Sequence, residues 1–382
     1  MHCKLADIAI VTMGQSPKSE YYNVSGEGIP FLQGNRTFGR KYPTFDTYTT
    51  IAPRVAECGD VIMSVRAPVG ELNITTSKVC LGRGVCSMRM KNGNQEFLYY
   101  LMKYYVPRLL EKESGTVFGS VNRNDIEGLD IDIPENIESQ NKITELLSIL
   151  DKKIELNNEI NHNLEQQIKT IFVHMFGKAI DSLNDTSTIL GDLVESVDNR
   201  GKTPPLATET TAYPIIDVRA LSGGSRIIDY NNCTKYVSED TYISWFRSGH
   251  PRPYDILIST VGSLAEMKVF LGNTGCIAQN VVGLRSKSIS PLYLYQYLSY
   301  IKHGLVAYNI GSVQPSIKVT HVIKHPIYVP AKNELNTFDK IANSITNQLF
   351  VNSQEIENLK QIRDILIPKL LSGELNVSDI DI

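Results

Sequence analysis

Two stretches of the chain carry apolar residues alternately four and three positions apart. Ile143, Leu147, Leu150, Ile154, Asn157, Asn161, Leu164, Ile168, Ile171 and Met175 mark the first. Phe338, Ala342, Ile345, Leu349, Asn352, Ile356, Leu359, Arg363, Leu366 and Leu370 mark the second. A mean spacing of ~3.5 residues is that of a coiled-coil seam, so two long helices that bury one stripe against a partner are predicted. Asn157 and Asn352 lie 195 residues apart and occupy equivalent layers near the middle of their helices. A buried Asn costs stability unless its amide finds a partner, and its usual benefit is to fix register. If the helices run antiparallel, these two layers meet, and the two amides are expected to hydrogen-bond to each other.

The rest of the chain is broken into short alternating runs rich in Gly, Pro, Thr, Tyr and Val, which predicts β-rich mixed domains. These runs recur. GDVIMS, with Asp60 to Ser64, answers YDILIS, with Asp255 to Ser259; IPFLQGN at Ile29 answers YPIIDVR at Tyr213; LADIA at Leu5 answers LGDLV at Leu190. GSVNRNDIEGLDIDIP, from Gly119 to Pro134, answers PSIKVTHVIKHPIYVP, from Pro315 to Pro330, and each reads as a turn and an alternating strand leading into a long helix. FLYYLMKYYVPRLL (Phe97 to Leu110) and LYLYQYLSYIK (Leu292 to Lys302) are helical exceptions whose aromatic residues sit at core spacing. The fold class that follows is α+β: two pseudo-symmetric repeats, each a β-rich mixed domain followed by a long helix, with the two helices in an antiparallel coiled coil. The boundaries read from sequence are 1–134, 135–181, 182–330 and 331–382.

The composition fits two globular domains: 382 residues, 42% hydrophobic and 21% charged. No apolar run approaches the ~18 residues of a membrane span. The opening MHCKLADIAIVTMGQSP lacks the basic and apolar regions of a signal peptide, so a cytoplasmic location is expected. Six cysteines are scattered with no Cys-x-x-Cys pair, which argues against structural zinc and for reduced, mostly buried thiols. The net charge of −3 is unevenly spread: +1 over 1–134, −3 over 135–181, +2 over 182–330 and −3 over 331–382. A polyanion would meet the globular stretches and avoid the helices.

No enzyme chemistry is legible. GKTPP at Gly201 lacks the earlier glycine of a phosphate loop and runs into two prolines. HVIKH has two histidines at zinc-protease spacing but no glutamate, and is read as lying on the way into a strand, so no metal site is expected. There is no Asn-Pro-Pro-Tyr or Asp-Pro-Pro-Tyr methyl-transfer motif, no dinucleotide fingerprint and no Gly-x-Ser-x-Gly elbow.

What both domains share is glycine-flanked loops with basic and amide side chains. In the first these are Arg36, Arg40 and Lys41 of QGNRTFGRKY, Arg66 of SVRAPVG, Arg83 of LGRG, and Asn122 and Arg123 of SVNRN. In the second they are Lys202, Arg219, Arg247, Arg252, Lys268, Gln279, Asn280 and Lys318. Arg can bridge guanine O6 and N7, Asn and Gln can bridge adenine N6 and N7, and Lys or Arg can neutralise phosphate. One such residue is more often a solvated charge; their recurrence in corresponding loops is what points to DNA. A coiled-coil scaffold with protein- or glycan-binding ends is the alternative from another class.

The paired GDVIMS and YDILIS, the Ser120 and Ser316 segments, the IDIP and IYVP strand ends, the helix IESQNKITELLSILDKKIELNNEINHNLEQQIKTIFVHMFG and the terminal IRDILIPKLLSGEL together resemble the DNA specificity subunit of type I restriction and modification systems. The resemblance covers the whole chain. It departs from the family at Ser139-Gln140, where a Glu-Gln pair commonly opens the helix, and near Glu334, where that pair is missing. It implies two target-recognition domains, each reading half of a split double-stranded sequence, held apart by the helices. It also implies a non-catalytic chain without a cofactor of its own. Two methyltransferase subunits that bind S-adenosylmethionine would dock on it, and a motor-nuclease subunit can join them, so that adenine methylation or restriction is directed to the target. A helix of ~33 residues spans about 50 Å at ~1.5 Å per residue, longer than the ~34–36 Å turn of duplex DNA.

Overall fold

The computed structural model describes residues 1–111, 120–184, 187–272, 274–277, 279–311 and 313–377. Gly119 of the first repeated stretch, Ala278 beside Gln279 and the closing residues 378–382 lie outside these. The chain divides into two units, Met1–Lys153 with Asn358–Ile382, and Ile154–Glu357. Both divisions fall inside the long helices, so each unit consists of a globular domain and a portion of each helix.

In the first unit a four-stranded antiparallel sheet is built from β1 (Ala9–Met13), β2 (Val61–Ser64), β3 (Leu72–Ile74) and β4 (Val85–Met90), in the order β1-β4-β2-β3. In the second, β5 (Val194–Val197), β6 (Ile256–Ser259), β7 (Met267–Val269) and β8 (Val281–Ser286) repeat it as β5-β8-β6-β7. The central strands read as unbroken apolar runs because both of their faces are buried. Val61 and Met63 pack into the core beneath α1 (Gln95–Glu111), whereas Ile62 faces a second cluster with Leu32, Val79 and Leu81. Ile256 and Ile258 likewise face α3 (Pro291–Tyr300), while Leu257 turns to Ile216 and Ile277. Those second clusters form on parallel pairings, Phe31 with Cys80 in one repeat and Ile215 with Cys276 in the other. Most aromatic residues of α1 and α3, among them Phe97, Tyr100, Tyr293 and Tyr297, are buried as their spacing predicts, with Tyr104 and Tyr300 half-buried.

The matching aspartates of the duplicated motif are buried ion-pair partners. Asp60 accepts from Arg89 Nε (2.7 Å) and Nη2 (2.9 Å), and Asp255 accepts from Arg285 Nε (3.1 Å) and Nη2 (2.7 Å). The serines at the ends of these strands also do equivalent work. Ser64 Oγ donates to the Pro68 carbonyl and accepts from Glu71 N–H; Ser259 Oγ donates to the Ser263 carbonyl and accepts from Glu266 N–H.

The helices of the seam are α2 (Ile137–Phe172) and α4 (Lys332–Ser372). Asn136 Oδ1 accepts from Glu138 N–H at the start of α2, and Glu334 Oε2 accepts from Ala331 N–H at the start of α4. Each device satisfies a backbone donor that the helix start leaves unpaired. In the second unit Asn157 bonds to Glu355 and Asn161 to Asn352, so residue numbers rise on one helix as they fall on the other: the pairing is antiparallel. The predicted bond between Asn157 and Asn352 does not form. Asn157 Nδ2 donates to Glu355 Oε2 (2.7 Å), and Asn352 donates to Asn161 Oδ1 (2.8 Å) while accepting from Gln348 Nε2 (2.7 Å). The axial stagger of the helices offsets the two layers, so each buried amide takes a polar neighbour of its facing residue.

Replacing both Asn157 and Asn352 with Leu is expected to hold or raise Tm, because an apolar layer is restored, while loosening register. Spin-label distances across the pair should broaden. A single sharp distance in the variant would show that the apolar layers alone set the register.

The 315–330 stretch departs from its sequence reading. Val319–Ile323 is a one-turn helix, matching Arg123–Glu127 in the first repeat, so His321 sits on a helix rather than on the way into a strand. His325 Nδ1 contacts the Tyr308 hydroxyl (2.9 Å). Among the described residues no group of His, Cys, Asp or Glu is arranged to hold a metal, and no helix is long and apolar enough to cross a membrane. Cys80, Cys86, Cys233 and Cys276 are buried, Cys3 is half-buried, Cys58 is exposed, and all six are free thiols.

Candidate nucleic-acid interface

A row of backbone hydrogen bonds gathers the polar loops of the first domain. Gly84 N–H donates to the Gln33 carbonyl (3.0 Å), Val65 N–H to the Gly84 carbonyl (2.9 Å), and Val121 N–H to the Val65 carbonyl (3.2 Å). Gln33, Arg83, Arg66 and Asn122 therefore stand on adjoining loops. Glycine is required on both sides of Arg83: a Cβ at Gly84 would lie 2.5 Å from the Gln33 carbonyl oxygen, and one at Gly82 2.7 Å from the Gln33 Cα. Arg83 and Arg66 are exposed.

The second domain repeats the row, with Thr260 N–H donating to the Asn280 carbonyl (2.8 Å) and Ile317 N–H to the Thr260 carbonyl (2.8 Å). It adds a further gathering. Asn199 clasps the 248–249 turn, donating to the Gly249 carbonyl (2.9 Å) and accepting from Ser248 N–H (2.9 Å). Arg247 Nη2 donates to the Arg200 carbonyl (3.2 Å), and Gln279 Nε2 to Thr203 Oγ1 (2.5 Å). Lys202, Arg247 and Gln279 are thus brought together beside Asn280, and Lys318 follows Ile317 at the start of the short helix. Lys202, Arg247 and Lys318 are exposed.

The other candidates are placed less freely. Arg36 is exposed and pairs with Asp46 (2.8 Å), a surface pair that a phosphate oxygen can replace. Arg40 is exposed beside Gly39, which Asn73 anchors through bonds to its N–H (3.0 Å) and carbonyl (2.9 Å). Arg219 is tied to Asp217 and Thr234, and Arg252 is exposed where its N–H donates to Asp255. Asn122 spends its side-chain oxygen on capping the 123–127 helix, and Arg123 bonds to Glu127 and to the Val11 carbonyl.

Two lysines point inward. Lys41, with its side chain 11% exposed, pairs with Glu96 (3.2 Å) among the rings of Tyr42, Tyr99 and Tyr100. Lys268 is 1% exposed and donates to the carbonyls of Gly223 (3.2 Å) and Ser225. Burial pushes its ammonium down to about 8. In β3 the corresponding residue is Asn73, also buried and also bonded to a loop carbonyl, so both repeats use this strand position to pin a loop rather than to present a charge.

Three groups escaped the sequence reading. The Asp60–Arg89 and Asp255–Arg285 pairs had a signal, since the aspartates recur 195 residues apart and the arginines 196 apart, close to the repeat offset. Asn199 had none; Arg226 had a faint one, because it stands where Lys41 stands in the first repeat, its carbonyl accepting from Val269 N–H as that of Lys41 accepts from Ile74 N–H.

The profile of the type I restriction modification DNA specificity domain matches residues 1–166 and again residues 186–365. The chain belongs to that family. A specificity subunit is the non-catalytic, DNA-recognising member of its system, and the family match to both repeats accounts for the duplicated fold. A putative type I restriction enzyme specificity subunit, MjaX, of Methanocaldococcus jannaschii is 36% identical over 163 residues, 42% of this chain and 38% of that protein. The MjaIX specificity subunit of the same organism is 23% identical over 99% of this chain and 94% of its own length. The HindI specificity subunit of Haemophilus influenzae is 25% identical over 73% of this chain and 77% of its length. Among solved structures, the S subunit of a type I restriction-modification system from M. genitalium shares the fold, with a TM-score of 0.56 over 97% of this chain and 96% of that one at 16% identity.

Proposed function

We propose that this specificity subunit reads a split double-stranded DNA target, one half with the loops of residues 1–134 and the other with those of 182–330, and directs partner methyltransferase subunits to adenines within it. The 135–181 and 331–382 segments hold the two readers and receive those partners, and a restriction subunit can join to cleave unmodified DNA in the cytoplasm. The observation that supports this reading is the recurrence of one backbone row, Gly84–Val65–Val121 and Asn280–Thr260–Ile317, which gathers basic and amide side chains in both repeats. Arg66, Arg83, Arg36 and Arg40 are the contacts we assign to the first half. Lys202, Arg247, Gln279, Asn280 and Lys318 are those we assign to the second, with Arg219, Arg252, Asn122 and Arg123 supporting the loops.

The two kinds of contact separate experimentally. A phosphate-binding Lys202 replaced by Ala should weaken binding to all sequences alike and flatten the plot of log K against log salt by ~0.9. A base-reading Arg83 or Arg247 replaced by Ala should cost about 1–3 kcal/mol on the target only and relax preference at one position. The measurement is a salt series of binding isotherms with the assembled complex on target and scrambled duplexes. Unchanged isotherms for the combined Arg83→Ala, Lys202→Ala and Arg247→Ala variant would place these loops away from DNA.

A further inference from the structure

Arg226 has no solvent exposure, yet it carries a full charge into the second domain's junction with its helices. Its Nη2 donates to Glu165 Oε2 on α2 (2.9 Å) and to Gln296 Oε1 on α3 (3.0 Å). Its Nε also reaches Glu165 (3.2 Å to each oxygen), and its Nη1 donates to Thr346 Oγ1 on α4 (2.9 Å). The backbone takes part too, with Arg226 N–H donating to Glu165 Oε1 (2.7 Å) and the Arg226 carbonyl accepting from Val269 N–H at the end of β7 (2.8 Å). The guanidinium carbon lies 5.1 Å from the centre of the Tyr295 ring. One residue of the domain is thereby fixed to the sheet and to both helices, all within Ile154–Glu357.

Apolar burial at this junction, from Phe172 and Phe338 to Tyr293, supplies attraction without direction. A planar guanidinium donates along fixed lines, so bonds to three elements determine an orientation. The first unit also places a carboxylate of α2 at this junction, with different partners. There Asp151 of α2 accepts from the Tyr100 hydroxyl of the domain (2.8 Å) and from Arg363 of α4 (2.7 Å). Both of those charges stand on the helices, whereas in the second unit Glu165 is on α2 and its partner Arg226 is on the domain.

We propose that Arg226 is a positioning residue for target specificity: its bonds set the angle at which the second recognition domain is held on α2 and α4, and so the number of base pairs allowed between the two halves of the target. This rests on the two-half reading above. None of the Arg226 bonds named above reaches the loops assigned to DNA, so the halves themselves should stay legible when it is altered.

The test uses the full chain assembled with its methyltransferase subunits and duplexes in which the two halves of the target are kept and the gap between them is lengthened or shortened by single base pairs. Thr346→Val and Gln296→Leu each remove one acceptor while leaving the ion pair whole. Arg226→Met with Glu165→Met removes both charges at once. The wild type should reject a gap changed by one base pair, and the variants should narrow that rejection tenfold or more while both halves are still required. A gap profile identical to wild type in variants that bind normally overturns the proposal. If the double variant does not fold, the two single variants decide the matter in the same way. A wild-type complex indifferent to the gap, or to one half, defeats the two-half reading itself, an outcome that the wild type alone reveals before any variant is compared.

Discussion

Exchanging residues 182–330 for the equivalent region of another specificity subunit is expected to change one half of the methylated target and leave the other half as it was. Each domain has a core of its own, with Val61, Met63 and Phe97 in one cluster and Ile256, Ile258 and Tyr293 in another. Each also pins its loops with its own backbone row. On the proposed reading, base contacts should therefore divide between the domains. One mismatched base pair costs ~1–3 kcal/mol, so a half-target wrong at two positions should lose roughly thirty-fold to 10⁴-fold in affinity. Mapping of methylated adenines in a genome expressing the hybrid with its partners gives the result directly. A change in both halves would show that recognition is shared across the domains. The graft has to bring an arginine equivalent to Arg226, because Glu165 and Thr346 remain behind on the helices and a buried carboxylate without its partner is strongly destabilising.

What was legible in the sequence follows from which physical quantity each pattern encodes. The four-three spacing specifies which face of each helix is buried, and every seam position from Ile143 to Leu370 is buried or half-buried. It says nothing of the axial stagger between helices. Asn157 therefore faces Glu355 although its own repeat partner is Asn352. The duplicated DVIMS and DILIS strands stand out because both of their faces are covered, which leaves an apolar run with no polar interruption. The same double burial hides Lys268, since a strand with two covered faces offers no polar side to which a lysine can be assigned. Lys41 fails for a related reason: charge in a glycine-rich loop is visible in the sequence, whereas Glu96, which draws it inward, lies 55 positions away. The HVIKH helix is a single turn, shorter than any window over which a period can be counted.

Removing Asp255 alone should be among the most damaging single changes in the second domain. Its side chain is 3% exposed and that of Arg285 18%, so Asp255→Ala leaves a guanidinium largely without water or a counter-charge, a loss of about 3–5 kcal/mol. The carboxylate also accepts from Arg252 N–H (2.8 Å), and Arg285 Nη2 donates to the His250 carbonyl (3.2 Å), in the same turn that Asn199 clasps next to Arg247. The change should therefore loosen the loop assigned to DNA as well as the sheet. In the first repeat Arg89 is 46% exposed, so water can take over when Asp60 is lost, and Asp60→Ala should cost clearly less. Hydrogen exchange at the amides of β6 and β8, compared with those of β2 and β4, measures each domain separately in a chain whose two units need not unfold together. The double variant Asp255→Leu with Arg285→Met removes both charges and should recover much of the loss in protection, because burying apolar groups avoids the desolvation that the ion pair had to overcome. It should not recover binding to the second half of the target, since the bond from Arg285 to the His250 turn is gone. Equal losses for Asp60→Ala and Asp255→Ala would show that exposure of the arginine does not decide the strength of this duplicated pair, and full recovery of binding in the double variant would detach the pair from the loop it is held to support.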